Sequence, residues 1–160
     1  MWQLTEPGAG QAGPTPPTAF NSLQGAINAA TPGVTVWVSN GVYQAGGVKG
    51  YPTGTVLTNR VAIWKAITVR SVENDPTNTI IKGAGPNGPA AVRCVYMTNG
   101  SALIGFTLTN GATWTGSTAD ETYGGGAHCQ STNTVISNCI LTVNSSGWAG
   151  GGAYRGTLFN

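Results

Sequence analysis

The chain has 160 residues; 8% are charged, 40% are hydrophobic, and the net charge is +2. A typical soluble domain carries about 25% charged residues; here Gly (25), Thr (22), Asn (13) and Ser (9) stand in their place. These residues favour turns over helices, which excludes a helical bundle. The lack of any basic run excludes nucleic acid as a partner, and no apolar window is long enough to span a bilayer.

Residues 1–19 carry Pro7, Pro14, Pro16 and Pro17 among Gly, Ala and Thr, and they read as an extended arm or linker. A helix of about 20–31 follows. Phe20, Leu23, Ala26, Ile27 and Ala30 recur at spacings of three and four, Asn21 or Ser22 offers an N-cap, and Pro32-Gly33 ends the run. From Val34 the period changes to two. Short strands then succeed one another: Val34 to Ser39, Val61 to Ile63, Ile67 to Val69, Thr79 to Ile81 and Val92 to Met97. Further ones are Leu103-Ile104, Phe106 to Thr109, Thr134 to Ile136 and Cys139 to Thr142, separated by Gly, Asn or Ser.

Repeats choose the architecture. Gly124-Gly125-Gly126-Ala127 recurs as Gly150-Gly151-Gly152-Ala153, and Val92-Arg93-Cys94 matches Ala127-His128-Cys129. A unit with three short strands cannot bury its apolar face alone, so units must stack. The expectation is an all-β, right-handed, three-sided parallel β-helix over 20–160. Val61 to Ile63, Ile67 to Val69 and Ile80-Ile81 form the sides of one coil. About five coils stack at roughly 4.8 Å each, and the amphipathic helix caps the N-terminal edge. Asn160 matches Asn138, so the sequence stops partway round a coil. Asn110, Asn138 and Asn160 read as corner residues.

The segment from Phe20 to Gly33, running into Val34-Thr35-Val36-Trp37-Val38 and Gly41-Val42-Tyr43, resembles the N-terminal cap and first coil of the pectate-lyase-like parallel β-helix superfamily. The Gly-Gly-Gly-Ala units resemble repeats of large secreted bacterial β-helix surface proteins. The resemblance implies the fold; its activities range from lyases and hydrolases to adhesins and structural fibres. The lyases imply Ca²⁺ held by clustered acids, and hydrolases need paired carboxylates. This chain has only Glu6, Glu73, Asp75, Asp120 and Glu121, and none lies on a repeat strand. No catalytic residue, metal ligand or cofactor is therefore expected; Ca²⁺ enters only with the lyase alternative.

The repeat alignment places Arg93, His128 and Tyr154 at equivalent, outward-turned positions on successive coils. The loop 111–123 brings Trp114, Asp120, Glu121 and Tyr123 to the same edge. Aromatic plates beside polar groups suit a sugar, so these seven residues are the candidate glycan face. The structural alternative keeps His128 as a solvated residue, with Arg93 paired to Asp120 or Glu121 to hold the loop. Cys94 and Cys129 share an inward column in this alignment, as buried thiols or as a disulfide between coils; Cys139 lies on another side.

The expected function is a non-catalytic extracellular or cell-surface module, structural or adhesive, with a polysaccharide or cell-surface glycan as candidate ligand. Head-to-tail assembly into a homo-oligomer or fibre through open coil ends completes the expectation. The alternative is the N-terminal part of a polysaccharide lyase or glycoside hydrolase acting on uronate-type polymers. The first residues lack a signal peptide's basic and apolar regions, so an extracellular location implies a leader outside this sequence.

Overall fold

A computed structural model describes residues 2, 3, 20–116 and 118–160; most of the expected arm, 1–19, lies outside them. Three all-parallel sheets form the sides of a β-helix. Sheet 1 stacks β1 (Trp2–Gln3), β2 (Thr35–Val38), β5 (Thr68–Ser71), β8 (Ala102–Ile104), β11 (Val135–Ser137) and β14 (Thr157–Phe159). Sheet 2 stacks β3 (Gly41–Tyr43), β6 (Thr79–Lys82), β9 (Thr107–Thr109) and β12 (Ile140–Thr142). Sheet 3 stacks β4 (Thr58–Ile63), β7 (Val92–Met97), β10 (Ala127–Cys129) and β13 (Ala153–Tyr154). The chain visits sheets 1, 2 and 3 in turn, so the three-sided coil expected from the repeats is the fold. No helix among the described residues is long and apolar enough to cross a membrane.

The core is built from columns, one residue per coil. Val36, Val69, Leu103, Ile136 and Leu158 stack on sheet 1. Tyr43, Ile81, Leu108 and Leu141 stack on sheet 2, and Val61, Val95, Ala127 and Ala153 on sheet 3. Burying each Val, Leu or Ile is worth about 1.5–3 kcal/mol, and no single coil encloses such a column by itself. Corners are sharp because residues there adopt the left-handed region. Asn74 (φ 54°) and Asn138 (φ 47°) do so after sheet 1, and the Asn138 amide donates to the Asn74 carbonyl at 2.6 Å. At the corner after sheet 2 the coils nearly touch: a Cβ on Gly111 would lie 2.0 Å from the Gly125 carbonyl oxygen.

The helix α1 (Leu23–Ala29) is capped by the Ser22 hydroxyl, which accepts from Gly25 N–H at 3.1 Å. It buries Leu23, Ala26 and Ile27 against the first coil. Its position covers the edge strand of sheet 3. The Gln24 carboxamide acts as a substitute peptide, accepting from Ala62 N–H at 2.8 Å and donating to the Ala62 carbonyl at 3.1 Å. The Lys65 ammonium donates to the last carbonyls of the helix, Asn28 at 2.6 Å and Ala30 at 2.7 Å, where the helix dipole favours a cation. On sheet 1 the edge is covered by β1, which pairs with β2.

Candidate functional site

The connections from sheet 2 to sheet 3 are the longest corners of the molecule. Two of them, 44–57 and 110–126, fold back over the outer face of sheet 3. Glu121 ties them together: its carboxylate accepts from Val56 N–H at 2.5 Å and Leu57 N–H at 3.2 Å. The one-turn helix α2 (Ala119–Thr122) holds Glu121 buried and leaves Asp120 at the surface, its side chain 55% exposed. Under the loops Leu57, Ala91 and Ala112 form a satellite core, with Trp114 packed against it.

Arg93 fixes this roof to the sheet. The side chain is fully buried, yet every donor edge finds an oxygen. Nε donates to Gly124 O at 3.0 Å, and Nη1 to Asn59 Oδ1 at 2.9 Å. Nη2 donates to Asp120 O at 2.5 Å and to Tyr123 O at 2.9 Å. Burial pulls the guanidinium down to about 10, while Asp120, then Glu121, oppose the shift; it remains a cation at neutral pH. A planar fork with five donors suits a site ringed by carbonyls.

The structure corrects the alignment of Arg93 with His128. The residue opposite His128 is Tyr96, and Arg93 pairs with Asn59 one coil back. The slip has a local cause: Cys94 and Val95, consecutive in β7, both lie in the core, so strict alternation fails there. The same correction removes the cysteine column. Cys129 stacks on Met97, and all three cysteines are free, buried thiols. Burial raises both Cys94 and Cys129 to about 12.

The ladder on this face is aromatic. Trp64, Tyr51, Tyr96, His128, Tyr154 and Tyr123 follow one another with ring centroids 6.3, 6.1, 5.9, 5.5 and 4.3 Å apart. Tyr96 and His128 are buried beneath the loops, whereas Tyr154, Tyr123 and Tyr51 are half-buried. His128 Nε2 lies 3.6 Å from Asp120 Oδ1, and its buried Nδ1 has no hydrogen-bond partner. Burial, then the Arg93 charge, pushes the imidazole down to about 3, so His128 is neutral at physiological pH. The Arg155 guanidinium stands 5.2 Å over the Tyr154 ring.

Of the seven residues expected to form the face, Tyr154, Tyr123 and Asp120 meet solvent together. Arg93, Glu121 and His128 lie beneath them as support, and Trp114 lies in the satellite core. Sequence reasoning missed Tyr51, Tyr96 and Asn59. The signal for Tyr96 was present: Val95-Tyr96-Met97 and Ala127-His128-Cys129 share an apolar, ring-bearing, sulfur-bearing order. Among the described residues, no group of three or more His, Cys, Asp or Glu side chains is arranged to hold a metal ion. Compared with protein-family models, curated proteins and solved structures, the chain matches none.

Proposed function

We propose that the chain is a non-catalytic extracellular β-helix module, structural or adhesive, that contacts glycans through Tyr123, Tyr154 and Asp120. The observation that carries this reading is the Tyr123–Tyr154 pair, stacked at 4.3 Å with 27° between planes and half-buried. A carboxylate and a guanidinium flank it. Such a plate suits the apolar face of a sugar, and the flanking groups suit its hydroxyls. The likeness of the cap and first coil to the pectate-lyase-like superfamily supports the extracellular setting. The distribution of acids supports binding over hydrolysis: Glu73 and Asp75 lie on the corner between β5 and β6, away from Asp120. Head-to-tail assembly would require α1 and β1 to leave the edges they cover, so the proposal is for a module that acts singly.

A glycan array tests this reading. Retention of neutral oligosaccharides by the wild-type chain, lost in Tyr154→Ala and Tyr123→Ala, is the expected result. Turnover of uronate polymers by the chain would refute it in favour of the lyase or hydrolase alternative.

A further inference from the structure

A second feature runs along the corner between sheets 2 and 3, apart from the aromatic face. Two clefts open there in succession. The first, about 300 Å³, lies between the start of α1 and the segment 42–48, with Arg60 on its wall. The second, about 390 Å³, crosses the next coils and is lined by Lys82, Gly83, Gly85, Asn110, Gly111 and Val143. They adjoin at a fixed cation. Arg60 Nε donates to the Lys82 carbonyl at 2.8 Å, and Arg60 Nη1 donates to the Gly46 carbonyl.

Each cleft therefore has one cation on its wall, and neither has a carboxylate. The acids of the described chain lie elsewhere: Glu73 and Asp75 between sheets 1 and 2, Asp120 and Glu121 over sheet 3. The positive potential along the corner is left uncompensated, which favours an anionic ligand. Much of the wall is bare backbone. A Cβ on Gly83 would meet Val92 O at 2.3 Å and Gly111 Cα at 2.6 Å, so the floor has no room for side chains and exposes peptide groups to a ligand. At the rim Val143 holds φ 55° while 75% exposed. A β-branched residue is an outlier in that region, and such outliers concentrate at ligand sites.

We propose that this corner is a binding groove for a polyanionic polysaccharide, with Arg60 and Lys82 taking its acidic groups and the glycine-rich backbone taking its hydroxyls. The sparse cations select this class. Duplex DNA presents a charge about every 1.7 Å and would meet far too few of them, whereas a chain with one acidic group per sugar is matched by one cation per cleft. The groove is separate from the Tyr123–Tyr154 face, so either site can exist without the other.

Dextran sulfate, carboxymethyl dextran and unmodified dextran of equal length provide the test, by affinity measurement at low salt with thermal melts to verify that each variant is folded. Both charged polymers should bind and the neutral one should not. Lys82→Glu should lower affinity about tenfold or more, because a like charge opposes the polymer. Tyr154→Ala should leave affinity unchanged. Equal binding of unmodified dextran, indifference to Lys82→Glu, loss on Tyr154→Ala, or displacement of dextran sulfate by an equal charge of duplex DNA would each overturn the assignment.

Discussion

Replacing Arg93 with Met keeps the length of the side chain and removes every donor from the roof over sheet 3. Four oxygens lose their partner: Gly124 O, Asp120 O, Tyr123 O and Asn59 Oδ1. A hydrogen bond to a charged donor contributes about 1.5–3 kcal/mol, but four such values do not add, since the loop relaxes and admits water. Removing one partner of a buried ionic group costs about 3–5 kcal/mol, and that is the expected loss for Arg93→Met. Against a total stability of about 5–15 kcal/mol the effect is large and is read from urea unfolding midpoints. Glu121→Gln retains an oxygen for the Val56 and Leu57 amides but removes the charge left unbalanced by Arg93→Met. The double variant should therefore recover about 1 kcal/mol relative to the sum of the singles. Proteolysis should cut the loop 111–123 first. An Arg93→Met chain within about 0.5 kcal/mol of wild type, with that loop still protected, would refute the staple.

Val143→Asn should stabilise the chain by about 1 kcal/mol, because Asn tolerates the left-handed region; the equivalent corner one coil earlier already uses Asn110 at φ 55°. A lowered melting temperature would contradict it. The imidazole of His128 should make stability depend on acid. Its folded value of about 3 lies below the ordinary 6.5 or so of an unfolded histidine, so the unfolded chain takes up the proton first. Its contribution is complete above about pH 6.5 and is lost as pH falls towards 3, on the order of a few kcal/mol in all. His128→Phe should flatten urea midpoints measured between pH 4 and 7. An unchanged slope would show that other groups carry the dependence.

The repeats made the coil legible. Val61 to Ile63, Ile67 to Val69 and Ile80-Ile81 are consecutive sides of one turn because period-two patterning and Gly or Asn corners are local properties. The Ser22 cap and the buried face of α1 were legible for the same reason. The face was less so. His128 and Tyr154 are opposite one another as the Gly-Gly-Gly-Ala repeat implies, since their coils are joined by matching segments. Arg93 was assigned to that column through the match of Cys94 with Cys129, and the two successive core residues in β7 broke the phase. Nothing in the spacing of Glu121 or Tyr51 says that their loops fold onto one sheet.

The sequence by itself determined a stacked coil with a helical cap and few acids, because strand period, turn residues and composition act over a few residues at a time. The tertiary structure decided which side chains reach solvent. Register between coils depends on the length of every corner, and the burial of Arg93, Glu121 and His128 depends on two loops distant in sequence closing over sheet 3. The low charge of the chain takes its meaning there. With so few ionic groups, one buried guanidinium organises the roof, and two cations without a nearby carboxylate set the potential of a groove.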